Sequence, residues 1–128
     1  DMYADFFSNI KVLPDLNANG RLTLGENLAD HGGLQVAYYA LKNATKTQAL
    51  PVIDGLTPEQ RFFLAYAGVW AGNINEAEIR NRTKSDPHSL SRWRVNGALP
   101  HIDMWYEAFG IKEGDKMFIP KSERLELW

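Results

Sequence analysis

The sequence contains no cysteine. Disulfides, thiol catalysis and every zinc site built on thiolates are excluded at once. It also lacks any apolar run near the roughly 18 residues that a membrane-crossing helix needs. Neither sign of charge dominates: 14 Lys and Arg face 16 Asp and Glu, a net of −2. With no basic run either, a nucleic-acid partner is not expected. There is no repeat of fixed period and no low-complexity tract. Motif searches find no GxGxxG, no phosphate loop, no GxSxG and no HExxH. The chain starts at Asp1 with no signal-type leader, which points to a processed or excised piece.

What is present is a chain of 128 residues, 45% hydrophobic and 23% charged, the balance of a soluble globular segment. Such a length hides about two-thirds of its unfolded surface, enough for one core. From Asp1 to Val12, the residues Met2, Tyr3, Phe6, Phe7 and Ile10 fall on one face of a short helix. Asn17-Ala18-Asn19-Gly20 has the composition of a tight turn. Thr23 and Glu26 have capping-box spacing, which predicts a helix from Thr23 to about Lys42. Gly32 and Gly33 inside it each cost about 1 kcal/mol against alanine. Close approach of another backbone or a ligand would account for them.

Thr57, Pro58 and Gln60 form a stronger start signal. The helix behind it, to about Ala71, carries Phe62, Phe63, Leu64, Tyr66, Val69 and Trp70 and is expected to be buried on most sides. Asn75 to Lys84 is predicted as an exposed charged helix. Residues 85–89 are predicted as a loop, because Pro87 disfavours helix at Asp86. Ser91 to Leu99 is either a short helix broken by Gly97 or an extended run. Pro100 to Phe109 reads as a helix closed by Gly110. Trp70, Trp93, Trp105 and Trp128 are expected in the core. The predicted class is mainly α with little strand.

Glu26 and Asp30 stand four apart, so their carboxylates project from one helical face. Either Glu26 completes the cap and Asp30 is solvated, or the pair is aimed at a metal ion or a catalytic partner. Asp30 and His31 point about 100° apart on a helix, so a self-contained Glu26/Asp30/His31 metal site is not expected. His88 lies in the Pro87 loop, with Arg92 and Arg94 four and six residues on. It is either a surface histidine or a proton donor beside a guanidinium that grips a carboxylate or peptide carbonyl. His101 reads as structural or exposed.

The run Asn19-Gly20-Arg21-Leu22-Thr23-Leu24-Gly25-Glu26-Asn27-Leu28-Ala29-Asp30-His31-Gly32-Gly33 resembles the neprilysin and endothelin-converting-enzyme family of zinc metallopeptidases. The likeness continues through Phe62-Phe63-Leu64 and Val69-Trp70-Ala71-Gly72. It resumes at Lys84-Ser85-Asp86-Pro87-His88-Ser89, at Arg94-Val95-Asn96-Gly97, and at Phe109 and Trp128. The matched elements follow the family's order along nearly the whole chain.

This resemblance implies the irregular helical C-terminal portion of a thermolysin-like (gluzincin) catalytic domain. Residues 1–128 would form one segment of it, with the HExxH helix and the N-terminal region lying outside. Family members are membrane-anchored, secreted or periplasmic endopeptidases that cut small peptides with one zinc ion. Peptide substrates and an extracytoplasmic location are therefore implied. By motif, Glu26 matches the third zinc ligand, and Asp30 the carboxylate that orients a zinc-bound histidine. His88 matches the histidine that stabilises the oxyanion, and Arg94 the arginine that binds substrate backbone beyond the cut. Val69 and Trp70 match the wall of the pocket for the residue after the scissile bond.

Leu90 stands where the family commonly has proline, and position 31 varies, so His31 inherits no role. The absent cysteine fits a bacterial member of the endopeptidase O type. The expectation is part of a zinc endopeptidase, completed by the remainder of the same polypeptide. Alone it should be inactive, hold zinc weakly or not at all, and be able to dimerise through uncovered apolar surface. The alternative is a non-catalytic helical module that binds peptides or proteins through its apolar helix.

Overall fold

A short first helix, α1 (Met2–Ser8), opens the computed structural model, which describes Asp1 to Trp128. Asp1 caps it by accepting the Tyr3 amide, and Tyr3, Ala4 and Phe7 are buried. The helix does not reach Val12. Lys11–Leu13 (β1) and Leu16–Asn17 (β2) pair instead as a small antiparallel hairpin. Pro14, between them, cannot donate a backbone hydrogen bond and favours the turn. The apolar face read as one helix is thus shared between a helix and a hairpin.

The long helix α2 (Gly20–Ala44) starts three residues earlier than predicted. Asn19 is its N-cap, accepting the Leu22 amide at 3.1 Å. Thr23 lies inside the helix and donates to the Asn19 carbonyl at 3.1 Å, so the Thr23–Glu26 capping box does not form. Tertiary packing explains the earlier start. A Cβ at Gly20 would lie 2.0 Å from the Ala4 carbonyl oxygen, so only glycine lets α1 cross there. Ser8 Oγ then accepts the Gly20 amide at 3.1 Å, satisfying a first-turn donor that the helix itself leaves free. Of the two interior glycines, Gly32 faces the Trp128 ring, 3.1 Å from where its Cβ would stand, whereas Gly33 meets nothing within 4 Å.

The capping box of α3 (Pro58–Val69) does form, with Gln60 N–Thr57 Oγ1 at 3.1 Å and Thr57 N–Gln60 Oε1 at 3.0 Å. Its expected burial does not follow. Phe63 is buried against Tyr38 of α2, but Leu64 is 47% and Val69 73% exposed. One face packs inward and the other apolar faces are open.

Helix α4 (Glu76–Ser85), capped by Asn75, is charged and without buried residues, as predicted, and stops where Asp86 turns extended. Ser91–Asn96 resolves as a short helix, α5, ending at Gly97. The predicted helix from Pro100 is two pieces: a 3-10 turn at Leu99–His101 and then α6 (Asp103–Phe109). Ile102, at the joint, is fully buried. Gly110 closes α6 in the left-handed conformation, φ 63°. Another 3-10 turn, Lys121–Glu123, leads into the tail.

The core gathers Leu34 and Tyr38 of α2, Phe63 of α3, and Ile102, Trp105 and Tyr106 at the α6 end. Trp105 behaves as expected of a core residue, while Trp128 is 69% exposed. Apart from the hairpin and one isolated bridge between Ile53 and Leu56, the chain is helical or irregular. No helix is long and apolar enough to cross a membrane.

Candidate functional site

One face of α2 presents Glu26 and, a turn later, Asp30. Arg94, on α5 and 64 residues further along the chain, closes on Asp30 with both ends of its fork. Nε donates to Oδ2 at 2.8 Å and Nη2 to Oδ1 at 2.7 Å. The two side chains are only 12% and 16% exposed. The same guanidinium lies 3.9 Å from the centre of the Trp70 ring, a cation–π contact that supports it from the second side. Tyr66 of α3 donates its hydroxyl to the Arg94 carbonyl at 2.9 Å. Hydrogen bonding to Asp30 pushes the Arg94 pKa up. Burial, then the Asp30 charge, push the Tyr66 phenol up to about 12, so it stays protonated.

The second half of the corner comes from the loop after α4. The Asp86 carboxylate accepts the His88 amide at 2.9 Å and meets His88 Nδ1 at 2.8 Å. This is an Asx-type turn, local in sequence and stiffened by the fixed φ of Pro87. Arg82 of α4 donates to the other Asp86 oxygen at 2.8 Å. The amide of His88, with its ring and the Arg82 side chain, holds the Asp86 carboxyl down to about 2. An ionised carboxylate only accepts, so Nδ1 carries the proton. Nε2 is then directed across to Glu26, 3.3 Å from Oε2, with both side chains more than two-fifths exposed.

The structure thus brings Glu26 to His88 and Asp30 to Arg94, and sets Trp70 beneath the arginine. Val69 stands apart from these five, exposed at the end of α3. It lines a groove of about 380 Å³ between α2 and α3, with Asp30, Leu34, Phe62 and Tyr66 on its walls. His31 points away from all of them and is fully buried. Leu90 has φ −58°, a value that a proline ring would also adopt.

Sequence reasoning missed both cross-chain pairings, which no local spacing reveals. It also missed Asp86 as the anchor of His88, although the Asp-Pro-His triplet carries that signal. Asn27 was missed as well; it is 2% exposed and accepts the Ser89 hydroxyl at 2.7 Å.

A zinc ion, which the resemblance implies, finds an incomplete donor set. No three His, Asp or Glu side chains of this chain converge where an ion would sit. A catalytic zinc site takes three protein ligands, so these residues do not fit one unaided. Glu26, half exposed and held only by the long contact to His88, fits as a single donor.

A family model described as peptidase family M13 matches residues 2–125. Endothelin-converting enzyme 1 of Homo sapiens is 41% identical over 114 residues, which is 86% of this chain and 14% of that protein. Neprilysin-3 of Drosophila melanogaster is 35% identical over the same shares of each. The Mycobacterium tuberculosis zinc metalloprotease Zmp1, solved in complex with an inhibitor, superposes with a TM-score of 0.94 at 32% identity. That match covers 99% of this chain and 20% of the other. The chain therefore spans about a seventh of the curated relatives it matches.

Proposed function

The chain belongs to peptidase family M13, and from that premise we propose that it supplies one wall of the active site of a zinc endopeptidase. The observation that carries this reading is the meeting of two pairs, Glu26 with His88 and Asp30 with Arg94, at one end of α2. In this reading residues 1–128 are a single segment of the catalytic domain. An HExxH helix and the roof of the cleft come from the rest of the polypeptide, which would also cover the open groove between α2 and α3.

Glu26 would hold the zinc ion as one carboxylate ligand, the others coming from the rest of the polypeptide. Such an ion supplies Lewis acidity toward the scissile carbonyl and the attacking water. Protonated on both ring nitrogens, with Nδ1–H given to Asp86, the His88 imidazolium offers Nε2–H as a hydrogen-bond donor to the oxyanion that develops at the cut. Arg94 spends Nε and Nη2 on Asp30 and keeps Nη1 for a peptide carbonyl beyond the cut. Asp30 fixes the guanidinium and has lone pairs left to orient a zinc-bound histidine. Val69 and Trp70 border the position of the following side chain. Peptides are the substrate class, and the parent acts outside the cytoplasm.

The decisive experiment is Glu26→Gln in the full-length protein, with zinc content and peptide cleavage measured together. Both should fall sharply. Survival of both would reject Glu26 as a ligand. The 128-residue chain alone should neither cleave peptides nor bind zinc tightly, and a stoichiometric high-affinity site in it would contradict the proposal. The exposed apolar face of α3, with Leu64 and Val69 uncovered, favours one other reading, a non-catalytic peptide- or protein-binding module. An intact gene without an HExxH segment would support that instead.

A further inference from the structure

Beside the charged corner runs a second connection between α2 and the His88 loop, and it is neutral. Ser89 donates its hydroxyl to Asn27 Oδ1 at 2.7 Å. Asn27 Nδ2 donates to Thr23 Oγ1 at 3.0 Å, and Thr23 donates to the Asn19 carbonyl at 3.1 Å. All three side chains are buried, with residue exposures of 7%, 2% and 6% for Ser89, Asn27 and Thr23. Each donor meets an acceptor in a chain that runs one way and ends on backbone. We propose that Asn27 and Ser89 are positioning residues that set the His88 imidazole at its working distance from Glu26 and Arg94. The proposal rests on the peptidase reading above.

Consecutive residues of α2, Glu26 and Asn27, meet consecutive residues of the loop, His88 and Ser89. Asp86 fixes the imidazole relative to its own loop and, through Arg82, to α4. It does nothing to hold that loop against α2. The Glu26–His88 contact is long and half exposed, a class of ion pair that holds little. A Glu26 carboxylate given to a metal ion is also no longer free to hold His88. Asp30 and Arg94 join α2 to α5, not to the loop itself. That leaves the buried Asn27–Ser89 bond as the tie at the histidine. Being uncharged, it keeps its geometry as pH and salt change, and it offers a metal no competing ligand charge.

The test uses the full-length protein with Ser89→Ala, Asn27→Ala, their combination and Ser89→Thr. A small displacement of an oxyanion donor is costly to rate, so each alanine variant should lose about tenfold or more in kcat. KM and zinc content should stay near the parent values. The double variant should be no worse than the worse single, because both remove one shared bond. Ser89→Thr, which restores a hydroxyl, should recover most of kcat.

Hydrogen exchange gives a readout without activity: the His88 and Ser89 amides should exchange faster in Ser89→Ala. Parent-like kcat in Ser89→Ala, additive losses in the double variant, or unchanged exchange would each overturn the proposal. If Asn27→Ala does not fold, Ser89→Ala and Ser89→Thr decide the matter. An unmodified full-length protein with no zinc-dependent cleavage rejects the peptidase reading, and the exchange measurement still judges the tie.

Discussion

Asp30 and His31 are neighbours in sequence and live in opposite surroundings. Asp30 is charged and almost enclosed, and both its oxygens are taken by Arg94. His31 is fully enclosed with neither ring nitrogen hydrogen-bonded. The Tyr3 ring packs against it edge-on, at 6.0 Å between ring centres. His101 shares that region: its Nδ1 accepts the Leu125 amide at 2.9 Å, its Nε2 has no partner, and its ring lies edge-on to Tyr3 and Phe6.

Burial pushes both imidazoles down to about 4. For His31 the Asp103 charge opposes that fall, and for His101 the charges of His31 and Arg124 deepen it. The contrast shows two solutions to one problem. A buried group that must stay charged needs a matched partner, while one that can shed its proton is buried neutral. Residue type alone does not say which corner is the site.

The largest expected effect comes from the histidine side. The folded pKa values lie near 4 and the unfolded ones near 6.5, so the unfolded chain binds more protons between those limits. Stability is therefore full above pH 6.5, falls as pH drops toward 4, and loses nothing more from these groups below that. Each histidine contributes at most about 3 kcal/mol. Asp86 and Asp103, whose pKa values are held down, surrender their shares only at lower pH, as they protonate. Urea unfolding at pH 7 and pH 4.5 should show a clear drop in midpoint, and His31→Leu should shrink it. Equal midpoints at the two pH values in the unmodified chain would erase the contrast between Asp30 and the buried histidines.

Next in size is the charged side. Asp30→Ala leaves Arg94 enclosed, stacked on Trp70 and without its acceptor. Breaking a buried pair from one end costs about 3–5 kcal/mol. Arg94→Met should cost a comparable amount, and the two changes together less than their sum, because they share one interaction. A strictly additive double-mutant cycle by urea unfolding would show that the pair is not the tie between α2 and α5.

How much of this was legible beforehand depends on the reach of each signal. The cap of α3 was legible because Thr57, Pro58 and Gln60 solve their hydrogen bonds among themselves. The charged exposure of α4 and the closure at Gly110 were local for the same reason. The start of α2 was not, since Asn19 and Thr23 are both good caps four residues apart. The choice fell to α1 crossing at Gly20. The open face of α3 was misread because apolar composition reports that a surface wants cover, not that this segment provides it. Glu26 and Asp30 were found by their spacing, and their significance by family resemblance. Their partners lie more than 60 residues away, where periodicity says nothing. His31 carried no signal at all, since Tyr3, which packs on it, belongs to α1.

The smallest effect belongs to a third polar contact on α2, and it tests whether distance or environment sets strength. Lys42 Nζ meets Glu59 Oε1 at 2.7 Å, the same separation as Arg94 Nη2 and Asp30 Oδ1. It also joins α2 to α3, as the Tyr38–Phe63 packing does. The difference is water: the Lys42 side chain is 48% exposed and Glu59 24%, against 16% and 12% for the inner pair. Solvent screens such an outer pair, and two long side chains must be ordered to make it. At 1 M salt the screening length shrinks to about 3 Å, comparable to the contact itself. Lys42→Met should therefore cost little at low salt, and that small loss should vanish at 1 M. The Asp30→Ala loss should persist through the same titration. If both losses fade alike, the Asp30–Arg94 pair is open to solvent, and the corner it anchors is looser than its geometry says.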